Sequence, residues 1–124
     1  MTASHVHLSD EVIDADTQVL RAHGELDLYV APEFKRRLAN TIEAGKTRIV
    51  VDLTDAAFMD STALGDLIGA LKRLRVRGGA LAVASEQPTI LRILELTGMD
   101  QVLDLYATAG EALAGLDRSA DAKG

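Results

Sequence analysis

The 124-residue chain contains no cysteine and no tryptophan. Without thiolates there are no disulfides, cysteine-ligated zinc sites, iron–sulfur clusters or cysteine nucleophiles, and a reducing compartment fits. Aromatic residues are scarce: Tyr29, Phe34, Phe58 and Tyr106 are the whole set. Four scattered rings cannot form the row of stacking platforms that grips single-stranded nucleic acid, and they equip the chain poorly for sugars. Positive charge is also in deficit, with 13 Lys and Arg against 19 Asp and Glu and a formal net charge of -6. That balance disfavours phosphate backbones and anionic membrane surfaces, leaving a protein or small molecule as the expected partner. No apolar run approaches the roughly 18 residues that cross a bilayer. The first ten residues lack the basic and apolar regions of a secretory signal, so a cytoplasmic location is expected.

What is present is the composition of an ordinary globular domain, 48% hydrophobic and 26% charged. One domain over 4–117 is expected, followed by a small, polar tail over 118–124. Val6 to Ile13 and Gln18 to Leu26 are strand-like runs separated by Asp14-Ala15-Asp16, which predicts an antiparallel hairpin. Pro32, suited to a first helical position, opens a helix with Phe34, Leu38, Thr41 and Ile42 on one face and Gly45 as its stop. Ile49 to Leu53 reads as a short strand buried on both faces, hence the sheet centre. Ala63, Leu64, Leu67, Ile68, Leu71 and Leu74 recur at helical spacing up to Gly78-Gly79, and Ala80 to Ala84 is a second buried strand. Strand, long helix and strand form a βαβ unit with parallel strands. A helix over Pro88–Thr97, a strand over Val102–Tyr106 and a last helix opened by Thr108 and Glu111 at capping-box spacing complete an α/β fold: a mixed sheet with helices packed on it.

The stretch most informative about function is Phe58-Met59-Asp60-Ser61-Thr62-Ala63-Leu64-Gly65, between the central strand and the long helix. Loops at strand C-terminal ends gather binding sites in such folds. Ser61 falls at the N-cap or first position of the helix. It can be a simple cap worth about 1 kcal/mol, as Ser85 can be before the next helix. Alternatively its hydroxyl is exposed and accepts a phosphate, whose charge of about -1.5 to -2 the positive end of the helix dipole tolerates. Asp27 and Asp60 would then already make this end of the molecule negative.

Asp60-Ser61-Thr62-Ala63-Leu64-Gly65 after Phe58-Met59 resembles the phosphorylation-site signature of the bacterial STAS-domain anti-sigma factor antagonists. Gly24-Glu25-Leu26-Asp27 before the first helix resembles that family's second marker, and the order of elements is similar over nearly the whole chain. The resemblance implies a non-enzymatic partner switch without cofactor or metal. The unphosphorylated antagonist binds an anti-sigma factor that is also a GHKL-type serine kinase, and so frees a sigma factor. Phosphorylation at Ser61, with Thr62 as a secondary acceptor, releases the kinase, and a PP2C-type phosphatase restores the serine. Gly24, Asp27, Asp60, Ser61, Thr62, Leu64 and Gly65 are the implied contact residues, Leu64 as an apolar residue left available to the interface. Ala63 stands where many relatives have Gly, which adds a methyl group where the kinase backbone would approach.

Two other functions compete. One is a STAS scaffold that binds a ligand or protein without phosphorylation. The other is an Mg²⁺-dependent receiver-like phosphoryl-transfer domain built on Asp52, Asp55 and Asp60, although no lysine follows a late strand as a receiver requires. His5 and His7 share a strand face but lack an evident third ligand, so they read as a surface pair. Lys72, Arg73, Arg75 and Arg77 read as a solvated helix terminus, with docking of an acidic partner as the alternative.

Overall fold

The computed structural model describes residues 6–123, with side chains described from Leu8 to Leu116. Five strands form one sheet in the order β1-β2-β3-β4-β5: β1 Val6–Val12, β2 Thr17–Leu26, β3 Arg48–Met59, β4 Ala80–Ala84 and β5 Asp104–Tyr106. β1 and β2 are the antiparallel hairpin, and every later pairing is parallel. The helices are α1 Ala31–Glu43, α2 Ser61–Val76, α3 Pro88–Leu96 and α4 Ala109–Lys123. A 3₁₀ turn over Met99–Gln101 occupies the approach to β5 and makes that strand shorter than expected.

The alternation of β3 sorts the helices. Ile49, Val51 and Leu53 point into a core shared with Phe34, Leu38 and Ile42 of α1, the apolar stripe of α2, and Ile90 and Leu94 of α3. Val50 points the other way and joins Val19 and Ala82 beneath Ala112 and Leu116 of α4. Covered on both sides, β3 needs the continuous apolar run that identifies it as central. Thr108 Oγ1 accepts the Glu111 N–H at 3.1 Å, so the expected cap does open α4.

Two boundaries differ from expectation. β3 continues six residues beyond Leu53, through Thr54-Asp55-Ala56-Ala57-Phe58-Met59. Asp and Ala have weak strand preference, and the extension is held by parallel pairing with His23–Leu26 across two register shifts. Gly24, at φ 101°, supplies the left-handed conformation between those shifts. At the other end α4 runs to Lys123, through most of the stretch expected as a tail. Ala, Lys and Arg there favour helix, and the sequence has neither Gly nor Pro between Leu116 and Gly124.

Three residues of the basic cluster, Arg73, Arg75 and Arg77, bond within the fold, and Lys72 is exposed. Arg77 Nη1 donates to the Ile42 carbonyl at 2.7 Å and Arg75 Nη2 to the Val102 carbonyl at 3.3 Å, while Arg73 lies 3.7 Å from Glu43. These bonds tie the end of α2 to the end of α1 and to the segment before β5. Among the described residues no helix is long and apolar enough to cross a membrane.

Candidate functional site

β2 and β3 end side by side, Leu26 opposite Met59, and the Asp60 N–H donates to the Leu26 carbonyl at 3.0 Å. The residues that follow each strand are therefore neighbours, which brings the two sequence motifs together. Each strand end is organised by an aspartate. Asp27 Oδ1 accepts the N–H groups of Tyr29 and Val30 at 3.0 and 3.2 Å, forming the turn into α1. Asp60 Oδ1 accepts those of Thr62 and Ala63 at 3.0 and 3.1 Å, as the N-cap of α2.

This settles the position of Ser61. It is the first residue of α2 and not its cap, it is exposed, and its hydroxyl takes no part in the hydrogen bonding that starts the helix. Ser85, which the sequence made to look equivalent, is 5% exposed and its Oγ accepts the Gln87 N–H at 3.1 Å. Of these two serines, only Ser61 is exposed with its hydroxyl outside the capping bonds. The consequence for Asp60 is direct: Asp60→Ala should cost about 1 kcal/mol in urea denaturation, with most of the loss recovered by Asp60→Ser. Ser61→Ala should leave stability nearly unchanged in the same titration.

Thr62 and Gly65 are also exposed, Gly24 and Asp27 half-buried. Leu64 corrects an expectation. It is 5% exposed and packed in the main core, so it is not available to a partner. Position three after Ser61 lies on the same helix face as Leu67 and Leu71, and that face is turned to the sheet. Ala63 is fully buried, so its methyl group points into the core and not toward an approaching kinase. The apolar surface here comes instead from residues the motifs did not single out. Tyr29 is 88% exposed, Leu28 63% and Phe58 38%, the first two in the turn held by Asp27, the third opposite Glu25 on β3. An apolar pair set between Asp27 and Pro32, in a stretch too short to fold back on itself, was the available sequence signal.

The carboxylates do not converge on a metal. Asp52 is eight residues before Asp60 along β3, roughly 25 Å away at strand rise. It is engaged by Arg21 Nε at 3.3 Å and by Thr54, whose hydroxyl donates at 2.7 Å. Among the described residues no group of three or more His, Cys, Asp or Glu could hold a metal ion, and the His5–His7 side chains lie outside them.

Residues 9–112 match the STAS domain family. The chain belongs to that family. Over 110 residues this STAS domain is 34% identical to the anti-sigma-B factor antagonist of Listeria monocytogenes, covering 86% of this chain and 95% of that protein. Its fold is similar to the crystal structure of an anti-sigma factor antagonist from Mycobacterium paratuberculosis, with TM-score 0.84, 25% identity, and coverage of 94% of this chain and 99% of that one. The Bacillus cell fate determinant SpoIIAA in its phosphorylated form shares the fold, with TM-score 0.70, 23% identity, and coverage of 87% and 97%. The mixed sheet with its N-terminal hairpin is thus the STAS arrangement expected from the order of elements.

Proposed function

We propose that this STAS domain is an anti-sigma factor antagonist. In its unphosphorylated form it binds an anti-sigma factor that is also a GHKL-type serine kinase, and that binding frees a sigma factor. The kinase transfers the γ-phosphoryl group of ATP to Ser61 Oγ: the hydroxyl loses its proton, a phosphoester bond forms and ADP departs. A PP2C-type phosphatase hydrolyses the ester with water, returning serine and inorganic phosphate. The antagonist itself catalyses neither step.

The observation that carries this reading is the exposed Ser61 hydroxyl beside a helix cap already supplied by Asp60. Phosphate on Ser61 neither completes nor disrupts the start of α2. It changes the surface instead, adding a dianion beside Asp60 and next to the turn of Asp27. On the turn that follows β2, beside the strand end that leads into Ser61, the exposed Leu28 and Tyr29 offer the apolar area that an interface needs at its centre. The antagonist names of the relatives support the same reading.

The test is incubation with ATP and the candidate anti-sigma kinases of the host, followed by intact-mass and peptide analysis. One phosphate on Ser61, absent from Ser61→Ala, is the expected result. Stable binding without phosphate transfer would favour a phosphorylation-independent scaffold, and labelling of an aspartate by acetyl phosphate would favour a receiver-like domain.

A further inference from the structure

Ser61 sits on a short bridge between two buried anchors. Met59, at the end of β3, is 1% exposed, and Ala63, in the first turn of α2, is fully buried, so only Asp60, Ser61 and Thr62 lie between them. Asp60 fastens that bridge on both sides. Its N–H donates to the Leu26 carbonyl at 3.0 Å, its carbonyl accepts the Leu64 N–H at 3.1 Å, and its Oδ1 accepts the Thr62 and Ala63 N–H groups. The first two bonds belong to the backbone and are open to any residue at this position. The Oδ1 pair belongs to the side chain alone.

That pair also depends on side-chain length. Asp, Asn and Ser carry an oxygen short enough to reach the amides of the first turn, which is why they lead the residues that cap helices. What the cap requires is an acceptor at the right reach, and a charge is optional. Without it the Thr62 and Ala63 N–H groups lose their partner, as the first donors of any uncapped helix do, and they turn to water as the first turn frays. Ser61 lies between the lost cap and those amides, so its hydroxyl moves with the turn.

We propose that Asp60 is a positioning residue for phosphoryl transfer to Ser61: by capping α2 it fixes the direction in which the acceptor hydroxyl is offered to the kinase. This rests on the function proposed for Ser61 and adds to it a role carried by geometry and not by charge. In the step itself the Oγ–P bond forms, the bond from phosphorus to ADP breaks and the hydroxyl proton passes to the kinase. Asp60 touches none of these atoms. Holding the acceptor in a near-attack orientation acts on turnover, because a misdirected hydroxyl binds with the rest of the domain but reacts slowly. A direct contact between Asp60 and the kinase would instead need the carboxylate charge, and the two requirements can be separated by substitution.

The experiment compares the full chain with Asp60→Asn, Asp60→Glu and Asp60→Ala as substrates of the anti-sigma kinase that phosphorylates the wild type, at saturating ATP, with Ser61 phosphate followed by peptide mass analysis. Asparagine caps without charge, and glutamate carries the charge without the cap. Asp60→Asn is expected to stay within about twofold of wild type, while Asp60→Glu and Asp60→Ala lose about tenfold in kcat with KM nearly unchanged. Nitrogen-15 relaxation of the Ser61 and Thr62 amides, recorded without kinase, should show added motion in the Glu and Ala variants only. If Asp60→Ala fails to fold, the Asn and Glu variants still decide the matter. Asp60→Asn as slow as Asp60→Glu, Asp60→Glu as fast as wild type, a loss confined to KM, or slow transfer with an unchanged Ser61 amide would each overturn the positioning role alone. A wild-type chain that takes no phosphate on Ser61 would overturn the function proposed for it, and this role with it.

Discussion

Phosphorylated Ser61 is expected to bind the anti-sigma factor partner about a hundredfold more weakly than the unmodified chain, with the melting temperature nearly unchanged. The separation of the two effects comes from Asp60. Because its carboxylate already accepts the Thr62 and Ala63 N–H groups, the phosphate has no vacant cap to occupy and gives α2 no new bond. The favourable dipole at the helix start and the repulsion from Asp60 act on it in opposite directions, so the net effect on folding is small. At an interface the dianion has no such compensation. Seating a charge of about -1.5 to -2 against a desolvated or acidic partner costs several kcal/mol, and about 3 kcal/mol corresponds to the hundredfold loss. Calorimetric titration of wild type, phosphoprotein, Ser61→Ala and Ser61→Asp against the partner measures it. Ser61→Asp carries one charge and should fall between wild type and phosphoprotein. Equal affinity of phosphorylated and unmodified protein would remove the switch from the proposed function.

The acidic balance of the chain acquires a place through the same geometry. Between Met1 and Glu33 seven acids face Arg21 alone in sequence. Several are neutralised in the fold: Asp10 and Glu33 by Arg37, at 2.8 and 2.9 Å, and Glu11 by Arg21 at 2.6 Å. Asp27 and Asp60 make no ion pair with a described residue and follow adjacent strand ends, so phosphate added to Ser61, as proposed, would deepen a negative region.

How much of this was legible beforehand depended on where the information resides. The βαβ unit was readable because Ile49–Leu53 and Ala80–Ala84 are buried on both faces and the α2 stripe keeps helical spacing, all local properties of the chain. The second half of β3 was not, because its strand conformation comes from pairing with His23–Leu26 of β2, far away in sequence. The choice between Asp60 and Ser61 as N-cap was beyond the motif as well. Both residue types cap helices well, and only the path of the chain after Met59, fixed by the Asp60 N–H on Leu26, decides between them.

Leu64 and Tyr29 form the sharpest pair of substitutions, because sequence and structure assign them opposite roles. Leu64→Ala should destabilise the domain by about 3 kcal/mol, the ordinary loss for truncating a buried leucine. It should weaken partner binding only to the extent that it unfolds the chain. Leu64 is closed off by the sheet, and a partner approaching Ser61 has no path to its side chain. Tyr29→Ala should do the reverse. Its ring is 88% exposed, so removing it costs the fold little, while the turn that presents it is held by backbone bonds to Asp27 that the substitution leaves intact. A tyrosine fixed at the centre of an interface contributes about 2 kcal/mol or more to binding, a loss of roughly thirtyfold. Urea denaturation and partner titration on the same two variants give four numbers. A Leu64→Ala chain of native stability that fails to bind would return Leu64 to the interface. A Tyr29→Ala chain that binds as wild type would take the β2–α1 turn out of it.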